Sequence, residues 1–186
     1  MAEAGLEDEV DVVTGSLGKA LGSYGGFACC DHVTARYLVN SARTLQSTAP
    51  PPVAVAAAMA ALELLEEEPR RVEKLLANAE ALRDELAREG FEVAGASAHV
   101  VPLVVGEAEP AARIVEHALE QGVFAEAVQP PAGAARLRLA VMAAHTRAEL
   151  REAARVLARA ALRAGVRPGA GGPVALAHAD ALPRAA

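Results

Sequence analysis

Apolar residues recur with a helical period through the middle of the chain. The clearest run starts with the i, i+3, i+4, i+7 spacing of a helix: Val72, Leu75, Leu76, Ala79, Leu82 and Leu86. That spacing places them on one face of an α-helix, so we predict a helix over 70–88 that ends at Gly90. An earlier helix is predicted from the prolines at 50–52 to residue 67, because proline fits the first turn of a helix.

Two short β-type runs precede these helices: 10–14 and 27–30. Their β-branched and small apolar residues predict two strands joined by a glycine-rich loop. We expect the second strand to be buried, with Cys29 and Cys30 as small core residues. The segment that follows, 33–39, predicts a short helix with Asp31 as its N-cap.

The C-terminal part alternates between strand-like and helix-like patterns. Strands are predicted at 100–105, 123–128 and 136–142, and helices at 110–121 and 146–164. Thr146 and Glu149 have the spacing of a capping box at the start of the last helix. The order of elements predicts part of a large α/β domain over 1–90 and a small α+β domain over 91–165. A tail rich in glycine, proline and alanine, 166–186, is predicted to be disordered.

Composition and charge narrow the classes of function. The net charge is −6, and the lysines and arginines form no dense block, so no nucleic acid partner is expected. No apolar run reaches the roughly 18 residues of a membrane-spanning helix, so no membrane association is expected. The acidic N-terminus lacks a basic leader, which predicts a cytoplasmic protein. The two cysteines have no metal-ligand spacing around them.

Lys19 lies in the glycine-rich segment TGSLGKALGSYGG. This segment is not a Walker P-loop, because Ala20 stands where that motif needs serine or threonine, and it lacks the Rossmann G-x-G-x-x-G spacing. A nucleotide-binding module is therefore the weaker alternative. From the residues alone, Lys19 is either a solvated surface lysine or an amine that becomes nucleophilic in a dry site.

Four segments, in order along the chain, resemble a single family. They are DVVTGSLGKALGSYGGFACC, STAPPPVAVAAAMAALELLEEEPRR, VVPLVVG and RLRLAVMAAHT. Together they look like the C-terminal half of the α-oxoamine synthases, a family of fold-type-I pyridoxal-phosphate (PLP) enzymes. The resemblance implies an α/β fold: the end of the large-domain sheet with its helices, and then the small α+β C-terminal domain.

The resemblance also implies roles for particular side chains. Lys19 matches the lysine that carries PLP covalently and then serves as acid and base at the substrate's α-carbon. Ser16 matches a hydroxyl that contacts the cofactor phosphate. Ser47 and Thr48 match a segment that reaches a phosphate across a homodimer interface, although an ordinary turn before the prolines is the alternative. Arg138 matches the arginine that holds the carboxylate of the amino acid.

Two further polar residues lie near Arg138 in the sequence. Arg136 is two residues earlier and is expected on the same strand face, so spacing alone cannot choose between the two arginines. His145 also matches a family position. We interpret it as a histidine at the entry of the last helix, bonded to backbone.

The resemblance implies an amino acid and an acyl-CoA or acyl-carrier-protein thioester as substrates. The segment AVQPPAGAARLRL is closer to members that condense L-alanine with a pimeloyl thioester, with decarboxylation, in biotin biosynthesis. Members that join glycine to acetyl-CoA are the alternative. The family's N-terminal half, with its D-E-A-H segment, has no counterpart here. We therefore expect a truncated chain, which either works with a half supplied elsewhere or is an inactive remnant that pairs with a full-length relative.

Overall fold

The computed structural model of the 186-residue chain describes residues 5–41, 49–93, 98–131 and 133–167. It forms two compact units, one ending at Pro69 and the other starting at Arg70, and each is described by itself. Ser47, Thr48 and positions 168–186 of the predicted tail lie outside the described residues.

The first unit contains a hairpin and two helices: β1 (Val12–Ser16), β2 (Gly26–Cys30), α1 (His32–Ser41) and α2 (Pro52–Glu67). The strands are antiparallel, with Val12 opposite Cys30 and Ser16 opposite Gly26. Asp31 caps α1 as predicted, since its carboxylate accepts a hydrogen bond from the backbone N–H of Thr34 at 2.6 Å.

The prediction that β2 is buried was wrong for this chain. Phe27 and Cys29 are exposed and Cys30 is only partly buried. The hairpin is a sheet of only two strands, and two strands cannot bury both of their faces without another layer. Among the described residues of this unit, only Ala54 and Ala58 of α2 are buried.

The second unit is a three-stranded sheet with three helices. Its elements are α3 (Arg70–Arg88), β3 (Val100–Gly106), α4 (Ala108–Glu120), β4 (Glu126–Val128), β5 (Ala135–Ala140) and α5 (Arg147–Arg163). The strand order is β3-β5-β4, with both pairings antiparallel. Helix α3 packs on α5 and β3, whereas α4 packs on α5 and all three strands. The helices and the inner sheet face therefore enclose one core.

Alternation along β5 separates that core from the outer face of the sheet. Leu137 and Leu139 are buried, whereas Arg136, which precedes them, is partly exposed and Arg138, which lies between them, is exposed. Period-2 geometry sends neighbouring side chains to opposite faces, so the apolar pair joins the core and both arginines share the outer face. Burial of a side chain such as Leu137 stabilises the unit by about 1.5–3 kcal/mol.

The boundary between the compact units differs from the predicted division at residue 90. Because α3 packs on α5 and β3, it belongs to the second unit. The predicted division concerns the domains of the enzyme family and stays a prediction.

The first residue of the predicted tail, Val166, belongs to the second unit. Its N–H donates to the Ala161 carbonyl at 2.8 Å, and its side chain packs against the core.

Candidate active site

Lys19 lies near the tip of the connection between β1 and β2. The Leu17 N–H donates to the Gly25 carbonyl, and the Ser23 N–H donates to the Leu17 carbonyl, both at 2.9 Å. Inside this frame the Gly22 N–H donates to the Lys19 carbonyl at 3.1 Å, which closes a tight turn. Gly22 has a φ of +58°, which only glycine adopts at low cost. The backbone at Lys19 is therefore held by a hydrogen-bonded loop.

Two serine hydroxyls hold the loop from either side of Lys19. Ser16 Oγ accepts a hydrogen bond from the Gly18 N–H at 3.2 Å, so its own hydroxyl hydrogen stays free to donate. Ser23 Oγ donates to the Ala54 carbonyl at 2.6 Å and so ties the loop to α2. Sequence reasoning missed this role of Ser23, because its partner lies 31 residues further along the chain.

Close packing at the base of the loop explains two of its glycines. Gly15 faces Phe27 across the hairpin, and a Cβ added at Gly15 would lie 2.3 Å from a carbon of the Phe27 ring. A Cβ added at Gly26 would lie 2.9 Å from the Gly15 carbonyl oxygen. Both separations are too short for a real side chain, because a Cβ at position 15 would collide with the Phe27 ring and one at position 26 with the backbone of the facing strand.

The Lys19 side chain is exposed. The described residues therefore do not supply the dry surroundings that a nucleophilic amine needs. The reason is the one that leaves β2 uncovered: within its unit the loop extends from a hairpin that carries no further layer.

Arg138 lies in the second unit, on the outer face of β5. Glu126 of β4 is its cross-strand partner, and Arg138 Nη1 donates to Glu126 Oε2 at 2.5 Å. Arg136 shares this face, as predicted, and within the described part of the chain its Nε is buried without a hydrogen-bond partner. Lys19 and Arg138 thus belong to different units, and each is placed only within its own.

His145 is bonded to backbone, which confirms its predicted structural role. Its Nδ1 accepts a hydrogen bond from the Met142 N–H at 3.2 Å. Buried Asn78, which the sequence analysis missed, donates to the carbonyls of Met142 and His145 at 3.1 and 2.8 Å. This side chain fixes the turn between β5 and α5, beside a mainly apolar cleft of about 490 Å³ that includes Phe124.

Neither a metal site nor a membrane span is found in the part of the chain that the structure describes. No group of three or more His, Cys, Asp or Glu residues there could hold a metal ion. No helix among those residues has both the length and the apolar character needed to cross a membrane.

A family model places the chain among known proteins. Residues 2–157 match the model for aminotransferase class I and II. The chain belongs to this family. The matched range includes Lys19, Ser16, Ser47, Thr48 and Arg138, and it covers most of both compact units.

Individual relatives agree with this assignment. The chain is 39% identical over 168 residues to an 8-amino-7-oxononanoate synthase from Citrifermentans bemidjiense, an alignment that covers 87% of this chain and 43% of the relative. It is 39% identical over 157 residues to one from Geobacter sulfurreducens, covering 81% and 40%. The chain thus spans less than half the length of these curated relatives.

Solved structures confirm the predicted fold class. A serine palmitoyltransferase solved with PLP matches with a TM-score of 0.80 and 28% identity, covering 88% of this chain and 42% of that one. The α/β fold is therefore that of a fold-type-I PLP-dependent transferase over most of the chain.

Proposed function

We propose that this chain contributes the C-terminal half of the active site of a PLP-dependent C-acyltransferase. The reaction would condense L-alanine with a pimeloyl thioester, with loss of carbon dioxide and release of the carrier's free thiol, to give 8-amino-7-oxononanoate. The observation that carries this proposal is the match to 8-amino-7-oxononanoate synthases over more than four fifths of the chain. The family-model match over residues 2–157 includes both Lys19 and Arg138.

The groups around Lys19 fit the aldehyde and the phosphate of PLP. The primary amine of Lys19 is the group that binds an aldehyde covalently. The Ser16 hydroxyl, whose oxygen already accepts the Gly18 N–H, can donate its hydrogen to a phosphate oxygen. Bound PLP supplies an electron sink for negative charge at the substrate's α-carbon. Lys19 would take the proton from that carbon and later return one.

The remaining predicted site residues complete the proposal. Arg138 would hold the carboxylate of L-alanine, since a planar guanidinium matches the geometry of a carboxylate. Ser47 and Thr48 would contact a phosphate across a homodimer interface. The thioester would arrive on coenzyme A or on an acyl-carrier protein. The predicted domains, 1–90 and 91–165, would then correspond to the PLP-binding domain and the small C-terminal domain.

The proposal is tested by a product assay with PLP, L-alanine and pimeloyl-CoA on the chain co-purified with a polypeptide that carries the N-terminal half of an 8-amino-7-oxononanoate synthase. We expect 8-amino-7-oxononanoate by mass spectrometry, and its loss in both Lys19→Ala and Arg138→Gln. A parallel reaction with glycine and acetyl-CoA tests the glycine-specific alternative. Product from the glycine reaction alone would contradict the assignment of alanine.

A second candidate function is a chain that acts only through a partner. The observation that favours it is the open apolar surface of the first unit, where the side chains of Val33 and Val53 are 75% and 78% exposed. Such a chain would be inactive alone and would pair with a full-length relative through that surface. Co-expression with a tagged full-length relative tests this: recovery of a complex, with no product when the chain is combined with the N-terminal half, would favour it.

A further inference from the structure

Glu126 faces Arg138 across the edge of the second sheet. The two residues are direct cross-strand partners in the β4-β5 pairing, and their side chains form an ion pair at 2.5 Å. A hydrogen bond between two charged groups is shorter and stronger than one between neutral groups. Glu126 is therefore the preferred carboxylate of Arg138 within the described structure.

The ion pair remains open to a ligand from solvent. The Arg138 and Glu126 side chains are 48% and 50% exposed, so a small molecule can reach the guanidinium. Glu126 meets Arg138 at Nη1, and a guanidinium carries five N–H donors on three nitrogens. A second carboxylate can thus reach this arginine only beside or in place of the first.

Register makes the pairing specific to Arg138. The neighbouring arginine, Arg136, lies opposite Val128 on β4 and Val104 on β3, and neither can neutralise it. Glu126 stands two residue pairs further along, opposite Arg138. The arginine assigned to the substrate carboxylate is thus the one that already has an acidic partner.

We propose that Glu126 is an internal competitor of the substrate's carboxylate for Arg138, and that it sets how tightly the amino acid binds. This inference rests on the proposed role of Arg138. An incoming carboxylate has the same charge as Glu126, so it must displace the glutamate or bind against its repulsion. Either way, the amino acid binds more weakly than it would to an unpaired arginine.

Replacement of Glu126 by glutamine tests the competition with little change in size. Removal of one partly exposed charge should tighten the binding of L-alanine about fivefold, in line with the modest strength of exposed ion pairs. L-alaninol, which has an amine but no carboxylate, should gain nothing. The matched control is Glu109→Gln, which removes the same charge from an exposed ion pair with Arg113 on α4.

The measurement is a titration of the full chain with PLP, read from the arginine Nε–H resonances of ¹⁵N-arginine-labelled protein. We expect tighter alanine binding in Glu126→Gln, an intermediate effect in Glu126→Asp and no change in Glu109→Gln. Equal or weaker alanine binding in Glu126→Gln would overturn the inference and leave the proposed function standing. No alanine binding in any variant, wild type included, would overturn the assignment of Arg138 and the inference with it.

Discussion

The two compact units differ in how completely they bury their apolar side chains. The second unit closes a continuous core in which Leu86, Leu137 and Leu157 have almost no exposed surface. The first unit buries only two alanines in its described part, although α2 is among the most apolar segments of the chain. A complete core and an open apolar helix thus coexist in one polypeptide, so apolar composition alone does not make a core.

The largest expected effect is the difference in stability lost when a leucine is truncated in each of the two units. Leu137→Ala should lower the free energy of unfolding by about 3 kcal/mol, because it leaves a cavity in a closed core. Leu62→Ala, the same change on the open side of α2, should cost less than about 1 kcal/mol, because Leu62 is half exposed. Urea titration of both variants checks this. Equal costs would show that α2 is as well packed as the second unit's core and would indicate that a second copy covers α2 in solution.

The second-largest effect is expected for a buried polar residue of the second unit. Asn78→Ala removes both hydrogen bonds that hold the turn before α5 and leaves two carbonyls with one partner fewer, at a cost of about 2 kcal/mol. Asn40→Ala is the control, because Asn40 is exposed on α1 of the open unit and should change stability by less than about 0.5 kcal/mol. A neutral Asn78→Ala would show that the turn is held by other contacts.

The capping box of α5 provides a smaller effect. Thr146 Oγ1 accepts the Glu149 N–H at 3.2 Å, and Glu149 accepts the Thr146 N–H in return. Thr146→Ala should therefore cost about 1 kcal/mol in thermal or urea unfolding. Thr146→Ser keeps the hydroxyl and should restore most of that loss. If serine rescued nothing, a packing role for the threonine methyl group would replace capping.

The smallest expected effect is a change in how the free energy of unfolding depends on pH. The backbone N–H and the hydroxyl of Thr146 hold the pKa of Glu149 below its ordinary value. A pKa lowered by folding means that the carboxylate stabilises the folded state above its unfolded pKa, and that this stabilisation is lost as pH falls through the folded pKa. Glu149→Gln should therefore reduce stability at neutral pH and flatten its decline in acid.

Asp31 of the first unit provides a comparison for the pH dependence expected at Glu149. The Thr34 backbone N–H also holds the pKa of Asp31 below its ordinary value. However, the helix that Asp31 caps, α1, has no buried residue. Asp31→Asn should thus change the acid dependence of global unfolding less than Glu149→Gln does. Urea titrations between neutral and acidic pH measure both. A larger effect at Asp31 would contradict the contrast between the units.

Local signals predicted the elements well in both units. Helix α3 has the predicted bounds, because Pro69 and Gly90 mark its ends and its apolar period is regular. The capping box at Thr146 formed as its spacing indicated. In contrast, β4 is only three residues long, because β5 pairs with it only from Glu126 to Val128. Periodicity reports which residues are apolar but not how far a neighbouring strand extends.

Contacts between distant segments could not be predicted. The partners of Asn78 lie 64 and 67 residues away, and the pairing of Glu126 with Arg138 depends on strand register. The apolar character of β2 was visible, but whether another layer covers Cys29 was not. The candidate lysine came from family resemblance, since its glycine-rich loop alone allows a surface lysine.

If the chain contributes to a PLP site, Lys19 is the residue that binds PLP covalently. The sequence contains only one other lysine, Lys74, an exposed residue of α3 that provides a matched control. The chain would be incubated with limiting PLP, reduced with borohydride and digested, and the peptides would be weighed by mass spectrometry. We predict the cofactor mass on the Lys19 peptide, its loss in Lys19→Ala and its retention in Lys74→Ala. Equal labelling of both lysines, or labelling of Lys74 alone, would contradict the account.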